Sequence, residues 1–150
     1  MSAGDGQGLV RTWSAGGPHF AEHGGTWPVH CVRDTWGAQL HDALDVPDDA
    51  QVVRKGTGIA DGYSGFTVLD LTSDTEVRTE LDPLLRAHGI RRVVVVGIAT
   101  DVCVKATVLD AVELGYATVV VPDATAAVDL QPGDGERAVE EMAAAGAVVA

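Results

Sequence analysis

Three apolar runs in the second half constrain this chain more than any other feature: RRVVVVG at 91–97, ATVVV at Ala117–Val121 and AVVA at 147–150. The first does not alternate apolar with polar residues, so it reads as a strand covered on both faces. The segments between the runs have helical period. Val102–Leu114 places Val104, Val108, Ala111 and Val112 on one side and stops at Gly115, and Glu136–Ala145 stops at Gly146. Strands alternating with helices predict an α/β fold, a three-layer α/β/α arrangement about a parallel Rossmann-like sheet. The whole chain, 1–150, reads as a single domain.

The first half is less regular. Residues 1–18 are rich in Gly, Ala and Ser, with LVRTW (Leu9–Trp13) as the candidate strand. Residues 19–45 read as a long irregular loop, and loops of that length that carry Trp27, Trp36 and several histidines are usually functional. QVVRK (Gln51–Lys55) predicts a short strand, and GTGIADGYSGF (Gly56–Phe66) a glycine-rich loop. Asp74–His88 is helical in period, with Leu81, Leu84 and Leu85 on one face and Pro83 disturbing it unless a turn begins there.

Charge narrows the partners. The net charge is −12, from 22 acidic against 10 basic side chains, with no basic cluster. That field repels phosphate backbones and anionic lipid, so neither nucleic acid nor a membrane surface is expected as a partner. MSAGDGQG has no basic or apolar leader character, and Cys31 and Cys103 alone make no disulfide framework, so the expected location is the cytoplasm.

In parallel sheets, ligands bind at the carboxyl ends of the strands. Lys55, the stretch Ile98–Cys103 and Asp123–Thr125 all arrive there. On the line GIATDVCVKAT alone, Cys103 reads first as core filling, the usual state of a free cysteine, and only second as a nucleophile. Its place at the amino end of a helix favours a thiolate, and the same amides are placed to hold a developing oxyanion.

WPVHCV (Trp27–Val32), GAQLH (Gly37–His41), VRKG (Val53–Gly56), DGYSGF (Asp61–Phe66), VVVVGIATDVCVKATVLDAVELGY and PDATAA occur here in one order. Together they resemble the nicotinamidase/pyrazinamidase branch of the isochorismatase-like cysteine hydrolases, over about residue 19 to the end. The resemblance implies hydrolysis of a small carboxamide to an acid and ammonia through a cysteine thioester. It implies Cys103 as nucleophile, Lys55 as the catalytic lysine, and a cis peptide at Ile98–Ala99 that aims the amides of Ala99 and Cys103 at the oxyanion. Trp27 and Tyr63 match aromatic walls around a pyridine ring. His19 and His30 match ligands of a divalent metal, zinc, iron or manganese, with His23 as a further candidate. His41 and His88 read as structural or surface residues.

Two departures stand beside these matches. The family's first strand, which carries a catalytic aspartate, has no counterpart in the sequence, and Thr12 and Ser14 fall where an aspartate and a histidine complete the metal site. The expectation is therefore a sheet lacking its first, central strand, a partly filled metal site and impaired activity, from a truncated or mis-started gene product. Asp61 and Asp101 are the candidate substitute bases, and the open sheet admits a second copy of the chain as a partner. Two other functions stay open: hydrolysis of isochorismate, ureidoacrylate or an N-carbamoyl amide, or a catalytically dead fold that binds a ligand or partner.

Overall fold

The computed structural model describes residue 21 and residues 25–32, 34–55, 62–70 and 75–150. The strand-and-helix alternation of the second half is present. Strand β1 (Thr67–Asp70) and strand β2 (Thr75–Arg78) form an antiparallel pair. Helix α1 (Leu81–Ala87) leads to strand β3 (Arg92–Ile98), a π-helical turn (Thr100–Val104), helix α2 (Lys105–Glu113), strand β4 (Ala117–Ala126), helix α3 (Asp134–Ala145) and strand β5 (Val148–Val149). Among the described residues the main sheet runs β3-β4-β5, with both pairings parallel. The β3–β4 register shifts between Val95 and Gly97, close to where the chain leaves the sheet towards Cys103.

Helix α2 ties two cores together. Its Val108, with Val104 of the π-turn, packs among Val120 of β4, Ala138 and Met142 of α3, and Ala147. Val108, Val120 and Met142 are fully buried. Each such side chain contributes about 1.5–3 kcal/mol relative to an exposed one. Ala111, on the same helix, belongs to the second cluster with Phe66 and Tyr116, flanked by Leu81, Leu85 and Val93. Phe66 and Tyr116 stack at 5.9 Å between centroids. The turn that carries Cys103 thus leads into a helix that packs in both clusters.

Several expectations are corrected. Gln51–Lys55 is not a strand, because no described strand lies beside it to complete a ladder. Asp74–His88 is not one helix: Thr75–Arg78 pairs with β1, and α1 starts only at Leu81. The Thr79 hydroxyl marks that boundary by donating to the Gly65 carbonyl (2.6 Å) and accepting from the Leu81 amide (3.2 Å). Pro83 then sits in the first turn, where its missing N–H costs nothing. The helix read as Val102–Leu114 opens earlier, as the π-turn Thr100–Val104, and its α-helical part is Lys105–Glu113. Strand β3 is not covered on both faces: its burial alternates, and Val94, Val96 and Ile98 are exposed. Leu9–Trp13 lies outside the described residues. Among the described residues no helix is long and apolar enough to cross a membrane.

Candidate active site

The site forms where β3 ends. The peptide Ile98–Ala99 is cis, at the position the resemblance implies. The next residues wind as a π-turn, closed by the Val104 amide donating to the Ala99 carbonyl at 2.9 Å. Single π-turns of this kind recur at functional sites. Thr100 is buried, and its hydroxyl bonds that of Thr125 at 2.8 Å, which in turn donates to the Pro122 carbonyl. Both carboxylate oxygens of Asp101 accept backbone amides, from Val128 (2.9 Å) and Asp129 (2.8 Å). The turn is therefore fastened to the end of β4 and to the loop after it.

Half-buried Cys103 lies in this turn, and the Lys55 ammonium stands 3.4 Å from its Sγ. The residues are 48 apart in sequence, so the pair is made by tertiary structure alone. Lys55 also donates to the Gly62 carbonyl, which fixes the ammonium from a second side. An ammonium at this distance stabilises a thiolate and any negative charge that develops beside it. Cys31, the other cysteine, is exposed, with φ at +48°.

Trp27 and Tyr63 also meet. Trp27 Nε1 donates to the Tyr63 hydroxyl at 2.9 Å, and the rings stand edge to face, 6.4 Å apart at 74°. They form a corner in this structure. His30 is exposed, and its Nδ1 donates to the Pro28 carbonyl at 2.7 Å. That bond selects the tautomer with its lone pair on Nε2, the form of a histidine that ligates through Nε2.

His19, His23, Thr12, Ser14 and Asp61 lie outside the described residues. No cluster of three or more His, Cys, Asp or Glu occurs among the described residues. Of the expected metal ligands, His30 is the one among the described residues. A cleft of about 270 Å³ opens between Trp27, Val102, Lys105, Leu130 and α3. Neither Cys103 nor Lys55 lines it, and its charged groups are already paired, Lys105 to Glu141 at 3.0 Å and Arg137 to Asp134 at 2.5 Å.

Three side chains escaped the sequence reading. Thr107 Oγ1 accepts the Gly65 amide (2.9 Å) and donates to the Cys103 carbonyl (2.7 Å). Asp110 Oδ2 accepts the hydroxyls of Ser64 and Thr67, each at 2.6 Å. Ser64 is itself buried and accepts the Phe66 amide at 3.0 Å. A signal existed: positions 103, 107 and 110 recur on one helix face.

The family model for the Isochorismatase domain matches residues 15–150. The nicotinamidase of Escherichia coli (strain K12) is 44% identical over 124 residues, 82% of this chain and 56% of that protein. The nicotinamidase/pyrazinamidase of Mycobacterium tuberculosis is 44% identical over 115 residues, 75% of this chain and 59% of that protein. The chain thus spans little more than half the length of these curated relatives. Pyrazinamidase of Pyrococcus horikoshii, solved in complex with zinc, superposes with a TM-score of 0.79 at 37% identity, covering 93% of this chain and 72% of that one. PnC1 from L. infantum, solved in complex with nicotinate, gives 0.84 at 38% identity, covering 93% and 68%. A family match across nearly the whole chain, on a fold that joins a cis peptide, a π-turn cysteine and a lysine, places this protein in the isochorismatase-domain family.

Proposed function

We propose that this chain carries a nicotinamidase-type amidohydrolase site, converting nicotinamide and water to nicotinate and ammonia. The observation that carries the reading is the Lys55 ammonium 3.4 Å from Cys103 Sγ, on the turn that follows the cis peptide. The Cys103 sulfur attacks the carboxamide carbon, and the amides of Ala99 and Cys103 hold the oxygen that becomes negative. When the tetrahedral species collapses, the C–N bond breaks, the thiol proton ends on the departing nitrogen, and ammonia leaves a thioester. Water then adds to the thioester carbonyl, the C–S bond breaks, and nicotinate and the thiol are released. Lys55 remains an ammonium throughout and offsets the charge on sulfur and oxyanion. The corner of Trp27 and Tyr63 packs the aromatic ring. The zinc-bound Pyrococcus relative supports a divalent metal as part of this reading, which His30 with His19 would hold beside the ring.

Asp101 is committed to two backbone amides, which sets its carboxylate to hold the turn. The test is ammonia release from nicotinamide beside ureidoacrylate and an N-carbamoyl amide, with Cys103→Ala as the blank. A cysteine-dependent preference for nicotinamide supports the reading. Preference for another amide moves the substrate, and no cysteine-dependent release with any of them leaves a binding fold without catalysis.

A further inference from the structure

The helix face that carries Cys103 also grips a distant segment. Thr107 and Asp110, one and two turns beyond the cysteine, between them bond Ser64, Gly65 and Thr67. That segment begins at Gly62, whose carbonyl takes the second hydrogen bond of Lys55, and includes Tyr63, which takes the indole of Trp27. Every proton in the knot has a consistent direction. Ser64 accepts from Phe66 and donates to Asp110, Thr67 donates to Asp110, and Thr107 accepts from Gly65 and donates to Cys103. The two hydroxyl bonds to Asp110 converge on one carboxylate oxygen, and charge-assisted bonds of this kind are the strong ones.

We propose that Asp110 is a positioning residue for the cysteine–lysine pair: by holding Ser64 and Thr67 it fixes the Gly62 carbonyl that sets the Lys55 ammonium over Cys103. The inference rests on the reading that Lys55 and Cys103 form the reactive pair. Asp110 touches neither of them in this knot; it acts through the segment Gly62–Thr67. Without it, the ammonium keeps its charge and loses its register, and about 1 Å of misplacement can cost 10²-fold.

The test is the rate of Cys103 alkylation by iodoacetamide at neutral pH in the intact chain, read by peptide mass against Cys31. Asp110→Ala is expected to slow Cys103 about tenfold, between no effect and the full loss just given for misplacement. Asp110→Asn retains a carbonyl acceptor for the hydroxyls and is expected to restore most of the rate. Combined with Lys55→Met, Asp110→Ala should add nothing, because the lysine through which it acts is gone. If Asp110→Ala fails to fold, the double change Ser64→Ala with Thr67→Val removes both donors instead and should slow Cys103 likewise. Alkylation at the parent rate in Asp110→Ala, or in the Ser64 and Thr67 double change where Asp110→Ala does not fold, overturns the proposal, as does an equal slowing with and without Lys55. If Cys103 of the parent chain reacts no faster than Cys31, the reactive-pair reading fails instead.

Discussion

Replacing Lys55 with methionine keeps an unbranched apolar stem and removes the cation 3.4 Å from Cys103 Sγ. At that separation the attraction between an ammonium and a thiolate is about 1 kcal/mol at the dielectric of water and about 5 kcal/mol at an effective dielectric of about 20. Both partners are half-buried, which places the pair between those limits. A factor of ten corresponds to about 1.4 kcal/mol, so Lys55→Met should slow the alkylation of Cys103 by about tenfold or more. The methionine also leaves the Gly62 carbonyl without its ammonium donor, which loosens the segment that holds Tyr63. Peptide-resolved iodoacetamide labelling at neutral pH reads both cysteines in one sample. In the parent chain Cys103 should react before exposed Cys31, and in Lys55→Met that order should weaken or reverse, with the rate of Cys31 unchanged. An unchanged Cys103 rate would mean that the lysine does not act on the sulfur.

Other consequences follow from packing and charge. Met142 is fully buried where α3 meets α2 and β4, so Met142→Ala should cost about 2–5 kcal/mol in urea unfolding, and a loss under 1 kcal/mol would show a site that collapses around the deletion. The Tyr116 hydroxyl, then the Arg86 guanidinium, hold the Asp82 carboxyl below its ordinary value of 3.8. A carboxyl depressed in the native state contributes stability above its unfolded value and loses it as pH falls through the native one. The Tm gap between parent and Asp82→Asn should therefore be widest at neutral pH and close as pH falls below 3.8; a gap of constant size would refute the linkage.

The second half of the fold was legible because its signals are local. Valine runs and glycine stops mark β3, β4, α2 and α3, with boundaries off by a few residues. The errors arose where tertiary partners decide. Gln51–Lys55 has the valines of a strand but no described neighbour to pair with, whereas TEVR at Thr75–Arg78 became a strand because TVLD lay beside it. The VVVV run cannot report how many faces will be covered, and Val94 and Val96 are exposed. Cys103 was legible from its place after a strand and at the start of a helix, whereas its pairing with Lys55 came through the resemblance, since nothing local links residues 48 apart. Asp110 was missed for a related reason. An acid on an amphipathic helix ordinarily reads as a solvated position, and its partners lie 43 and 46 residues upstream.

Attack of Cys103 on a carboxamide would leave an acyl group on its sulfur. The most direct measurement is the intact mass of the protein after mixing with excess nicotinamide and quenching in acid, with peptide mapping of any adduct. The expected result is a nicotinoyl group on Cys103, absent from Cys103→Ala, which also loses ammonia release. Ammonia release that persists in Cys103→Ala, with no acyl group on the parent cysteine, would contradict the account.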